Sequence, residues 1–145
     1  CAPVLIYDNN SKMIAAIHAG WKGAFKDIVK KVIKFMIKKG CSVENMTAVI
    51  GPSITQKNYE VKEDFKKKFI KKDSKNLKYF KINKKKLYFD LTKYIYSSLK
   101  TNEVKYIDVL KIDTYDAKNK FFSARRAKKL KQGDYGRNIS IIMLN

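Results

Sequence analysis

The chain has 145 residues, 45% of them hydrophobic, with nine tyrosines and eight phenylalanines; this is enough for one domain with a packed core and excludes a disordered tail. No run of eighteen apolar residues occurs, which excludes a membrane-spanning helix. The formal net charge is +20, but lysines recur along the whole chain with no zinc-finger, RNP-like or helix-turn-helix signature, so they read as solvated faces and not as a dedicated nucleic-acid surface.

In chain order, Pro3 to Tyr7 is a continuous apolar run closed by Asp8-Asn9-Asn10, and Met13 to Ile17 is another. This pattern predicts two strands joined by a hairpin turn, the second delivering His18. From Ala24 to Lys39 the residues Phe25, Ile28, Val29, Val32, Ile33, Met36 and Ile37 follow the i, i+3, i+4, i+7 stripe of an amphipathic helix, with Gly40 at the C-cap position. Met46 to Ile50 predicts a strand that runs into the turn Gly51-Pro52-Ser53-Ile54. Tyr59-Glu60-Val61 resumes extended structure, and a helix from Glu63 to Lys71 buries Phe65 and Phe69. Lys75 to Lys86 is polar with scattered aromatics and reads as a loop with a short strand. Asp90 then caps a helix carrying Leu91, Tyr94, Ile95, Ser98 and Leu99. Tyr106 to Ile112 and Ile139 to Leu144 close the pattern as strands. Mixed helices and strands with no repeat and no linker predict one α/β or α+β domain over residues 1–145.

The two cysteines, Cys1 and Cys41, are too few for a disulfide framework and form no CxxC pair, which fits a reducing cytoplasmic setting. Cys1-Ala2-Pro3 shows no initiator Met and no leader, and reads as a start inside a longer protein.

Two places concentrate chemistry. His18-Ala19-Gly20-Trp21-Lys22-Gly23 holds the only histidine and the only tryptophan, between a strand and a helix, where two glycines permit a bare, tight turn that points an imidazole into a cleft. Arginine is confined to Arg125, Arg126 and Arg137 in a chain that otherwise uses lysine, which suggests that the planar fork is needed there for an anion or a carboxylate. Structural ion pairing with nearby Asp is the competing reading.

Read in order, Cys1-Ala2-Pro3-Val4-Leu5, His18-Ala19-Gly20-Trp21-Lys22-Gly23, Gly51-Pro52-Ser53-Ile54, Tyr59-Glu60-Val61, Phe121-Phe122-Ser123-Ala124-Arg125-Arg126 and Gly136-Arg137 resemble the laccase-domain family. Its members were once called multicopper polyphenol oxidoreductases and are now regarded as purine nucleoside phosphorylases. The resemblance implies a four-layer α-β-β-α sandwich similar to the cytotoxic necrotizing factor deamidases, in a monomeric cytoplasmic enzyme. It implies phosphorolysis of adenosine, inosine, guanosine and methylthioadenosine, with phosphate as co-substrate, and deamination of adenosine. Family chains carry a substantial portion ahead of the cysteine motif, which this sequence lacks.

The resemblance also places Cys1 and His18 together at one cleft as catalytic residues, where a thiol can pass its proton to an imidazole. It gives Arg125, Arg126 and Arg137 to phosphate and Trp21 to a purine face. The family's zinc site uses the histidine matching His18, a cysteine after the GPxI turn and a second histidine. Here the turn is followed by Thr55-Gln56-Lys57-Asn58, no histidine follows His18, and Asp113-Thr114 stands where the family has Cys-Thr. Tight zinc binding is therefore not expected, and neither is copper. A catalytically degenerate nucleoside-binding scaffold is the alternative that these departures raise.

Overall fold

A computed structural model describes residues 1–144. The chain opens with strand β1 (Ala2–Asp8), strand β2 (Met13–Ala19), helix α1 (Trp21–Phe25) and helix α2 (Ile28–Lys38), followed by strand β3 (Met46–Ile50). Strand β4 (Glu60–Val61), helix α3 (Glu63–Lys72), strand β5 (Phe80–Asn83) and strand β6 (Lys86–Phe89) come next. Helix α4 (Leu91–Thr101), strand β7 (Tyr106–Val109) and helix α5 (Ala124–Lys129) complete the described elements. The mixed α/β expectation holds: one sheet has the order β2-β1-β3-β7 and a smaller one the order β4-β6-β5.

β1 and β2 form the expected hairpin, in a register that sets Pro3 opposite His18 and Asp8 opposite Met13. The fully buried Asp8 carboxylate fastens the turn, accepting from the backbone N–H groups of Asn10, Ser11 and Ser42 at 2.7 to 2.9 Å. Burial alone would raise its pKa, and these amide bonds outweigh burial and hold it below the ordinary carboxylate value. β3 runs antiparallel to β1 and parallel to β7. Burial alternates along β1 and β3, so Val4, Ile6, Met46, Ala48 and Ile50 enter the core while Leu5, Tyr7, Thr47 and Val49 keep some exposure. The core is closed by Val29, Ile33 and Met36 of α2 and by Leu91, Ile95 and Leu99 of α4. Each such side chain contributes roughly 1.5–3 kcal/mol by leaving water.

The helical stripe expected over Ala24–Lys39 is two helices, starting earlier than its apolar pattern suggests. The break falls at Asp27, whose φ is 60°, a left-handed conformation that a short polar side chain tolerates better than most. Lys72 fixes the break from α3: its Nζ donates to the Phe25 carbonyl and sits 2.7 Å from both Asp27 carboxylate oxygens. Gly40 follows α2 with φ of 95°, the C-cap role its sequence position predicts.

Lys75–Lys86 holds the short strand expected there: β5 follows a 3-10 turn at Ser74–Tyr79 and pairs with β6, and Tyr79, Phe80 and Phe89 join the aromatic cluster around Phe69. One further expectation is corrected. Ile139–Leu144 forms no strand. Its apolar run is strand-like, yet no strand pairs with it, and Ile139, Ile141 and Met143 are 82%, 68% and 74% exposed.

Candidate functional site

The sheet register assembles one corner. Ile17 and Ala19 point into the core, so the residue between them, His18, faces out and is exposed. Antiparallel pairing of β1 with β2 returns Cys1 to the same end of the sheet. Between them stands Gly20, where a Cβ would lie 2.8 Å from Cys1 Sγ and 3.8 Å from His18 Nε2. The absence of a side chain at Gly20 is therefore what lets the Cys1 sulfur stand here, on the side that His18 Nε2 also borders. Gly51 does similar work next door, since a Cβ there would sit 2.8 Å from Cγ of Pro3.

Arg125 adds positive charge to this corner. Its Nη1 donates to the Glu60 carbonyl at 2.7 Å and its guanidinium carbon lies 5.2 Å from the centre of the Tyr59 ring. Burial pushes the Tyr59 hydroxyl pKa up, and the Arg125 charge partly offsets that. The Arg125 guanidinium is within electrostatic reach of the backbone nitrogen of Cys1. Trp21 begins α1 beside the corner, half-buried, with its ring 5.0 Å from that of Phe65 and the Lys22 ammonium 5.7 Å from its centre.

The other two arginines are placed differently. Arg126 is an internal clamp: Nη1 donates to the carbonyls of Thr114 and Tyr115 at 3.0 and 2.8 Å, and Nη2 to that of Phe121. Its backbone N–H is capped by Ser123. Arg137 is exposed, donates to the Tyr135 carbonyl and pairs at 3.4 Å with Asp134, two contacts within its own turn. Of the residues expected at the site, Cys1, His18 and Arg125 come together with Trp21 alongside, whereas Arg126 is turned inward and Arg137 is engaged locally.

Asp113, which the sequence marks only as a departure from the family's Cys-Thr, has a role that sequence reasoning missed. It is buried, accepts from Thr55 Oγ1 at 2.6 Å, Asn58 Nδ2 at 2.7 Å, and the backbone N–H groups of Tyr115 at 2.9 Å and Thr55 at 3.3 Å, and its own carbonyl accepts from Asn119. Burial would raise its pKa, but these donors hold it below the ordinary value. An isolated parallel bridge ties Ser53 to Asp113, so the carboxylate closes the loop after β3. This is the loop where a family zinc ligand would stand. Its Thr55 and Asn58 side chains bond instead to Asp113, and among the described residues no three of His, Cys, Asp and Glu come together as a group able to hold a metal. The residues present do not fit a zinc site of the family type.

A mixed α/β scaffold presenting a thiol, an imidazole and a guanidinium at one sheet end is the class of protein that these features define. The chain belongs to the multi-copper polyphenol oxidoreductase laccase family, whose model matches residues 1–145. It is 38% identical over 141 residues to a purine nucleoside phosphorylase of Rickettsia conorii, covering 96% of this chain and 58% of that protein. It is 35% identical over 71 residues to the adenosine deaminase RL5 of an unknown prokaryotic organism, covering 49% of this chain and 27% of that one. Among solved structures it resembles the hypothetical protein YfiH of Bacillus licheniformis, with a TM-score of 0.80 and 28% identity, covering 88% of this chain and 50% of that one. The chain thus spans about half the length of the relatives it matches. Among the described residues no helix is long and apolar enough to cross a membrane.

Proposed function

We propose that this chain forms part of an enzyme that splits purine nucleosides with phosphate, taking adenosine, inosine, guanosine and methylthioadenosine to free base and ribose-1-phosphate. The observation that carries the reading is the convergence of Cys1 Sγ and His18 Nε2 on the space over Gly20, with Arg125 alongside. Support comes also from the relatives' names, which include purine nucleoside phosphorylases.

In this reading a phosphate oxygen forms a bond to the ribose anomeric carbon as the bond from that carbon to the purine nitrogen breaks, and the electron pair leaves with the base. His18 donates a proton or hydrogen bond to the departing purine, and the Cys1 thiol restores the proton to the imidazole. Arg125 holds phosphate with the part of its fork that Glu60 leaves free, and the half-buried Trp21 ring packs beside the base. No step is routed through a metal.

Adenosine and phosphate incubated with the full-length protein should give adenine and ribose-1-phosphate. Appearance of inosine would support a second, deaminating reaction, which the likeness to an adenosine deaminase favours. Binding of adenosine without either product would favour a degenerate nucleoside-binding scaffold, the reading that the Asn58–Asp113 loop supports. Unaltered phosphorolysis in Cys1→Ala would remove the thiol from the mechanism.

A further inference from the structure

A second concave site lies elsewhere on the same scaffold. β3 and β7 are the parallel pair of the main sheet, and α4 is the helix that precedes β7 in the crossover between them, so its N-terminus faces the carboxyl ends of both strands. In open α/β sheets this is where ligands settle. Here that place is a cavity of about 520 Å³, within the roughly 300–1,000 Å³ range of small-molecule sites, and it shares no residue with the Cys1, His18, Trp21 and Arg125 corner.

Its lining has a consistent chemistry. Lys57, Lys93 and Lys111 come to it from three separate segments, against one carboxylate, Asp90, whose side chain already accepts from the Lys93 backbone N–H at 2.8 Å. The first-turn amides of Leu91 and Thr92, which no intrahelical carbonyl can accept, add positive potential at the same end. Ser53, 3% exposed, lies 3.0 Å from Thr92, hydroxyl to hydroxyl. One proton makes that bond, and the other is left for an acceptor in the cavity, which both residues line. Tyr96, Val109 and Ile112 form an apolar wall beside these polar groups.

We propose that this cavity binds a phosphate monoester carrying an aromatic ring, of the kind a purine nucleoside monophosphate represents. Phosphate meets the lysines and the spare hydroxyl proton, and the ring lies against Tyr96. The volume leaves most of the space empty with an inorganic anion alone, which is why the ring belongs in the assignment.

Titration calorimetry with AMP, adenosine and inorganic phosphate tests it on the full-length protein. AMP should bind at least tenfold more tightly than either of the others. Lys93→Gln with Lys111→Gln should weaken AMP tenfold or more, while Lys30→Gln with Lys34→Gln, the same charge change on the exposed face of α2, should weaken it less than threefold. Equal loss in the two double variants would reduce the effect to net charge and overturn the proposal. So would AMP binding no tighter than phosphate. In the unsubstituted chain, AMP should perturb the amide resonances of Ser53, Thr92 and Lys93; perturbation centred on Gly20 and Arg125 would assign AMP to the other corner instead. Because the nucleoside reading rests on Cys1 and His18, His18→Ala should leave AMP affinity here unchanged, and a loss there would also overturn the assignment.

Discussion

The corner at Cys1 and His18 and the loop closed by Asp113 handle polar groups in opposite ways. Among the described residues neither the Cys1 thiol nor the His18 imidazole makes a hydrogen bond within the protein, and both residues are exposed. Asp113 is buried and its carboxylate is matched with donors from Thr55, Asn58 and Tyr115. Adjacent arginines repeat the contrast: Arg126 gives its nitrogens to three carbonyls, and Arg125 makes a single hydrogen bond and lies over a ring. A polar group whose partners are all internal shapes the scaffold, and one left open beside a cavity or cleft is available to a ligand.

The largest effect expected from this contrast is on turnover. His18→Ala in the full-length protein should lower phosphorolysis of adenosine by about 10²-fold or more, within the range for a lost proton-transfer group, and leave the urea midpoint unchanged. Wild-type turnover in that variant would erase the distinction between the two regions. Asp113→Ala should do the reverse by stranding buried donors, costing about 3 kcal/mol in urea unfolding at unchanged m-value. A loss under about 0.5 kcal/mol would show that the loop closes without it. For the arginine pair, Arg126→Gln should cost about 2 kcal/mol of stability, and Arg125→Gln should cost about 0.5 kcal/mol or less while raising the KM for phosphate. Reversed outcomes would exchange their roles.

The smallest effect is the dependence on acid. The folded pKa of Asp113 lies below its unfolded value near 3.8, so its contribution to stability is complete above the unfolded pKa and disappears as pH falls through the folded one. Asp113→Asn should therefore flatten the loss of stability between about pH 5 and pH 2, measured by urea midpoints across that window. Identical slopes in the two proteins would deny the carboxylate its role.

Local pattern made much of the fold legible. The β1–β2 hairpin, the body of α2 and the Asp90-capped α4 rest on periodicity and cap chemistry that act within a few residues. The break at Asp27 was hidden because the apolar stripe continues through it, and its anchor, Lys72, lies 45 residues away. Asp113 was hidden for the same reason, since its side-chain partners Thr55 and Asn58 stand 58 and 55 residues earlier. Ile139–Leu144 misled in the other direction, because an apolar run supplies the side chains of a strand and not its neighbour. For the candidate site, the lone histidine, the first cysteine and Arg125 were singled out from rarity and motif order, and the structure sets them at one corner. That Arg126 turns inward is a matter of carbonyl positions that no spacing encodes.

The bare aliphatic row at Ile139, Ile141 and Met143 also bears on how this molecule behaves in concentrated solution. Mutual repulsion from a net charge of +20 keeps such rows apart in dilute buffer. Added salt shortens the reach of that repulsion to about 3 Å at 1 M, so clumping should grow with ionic strength, the reverse of what a complex held by opposite charges would do.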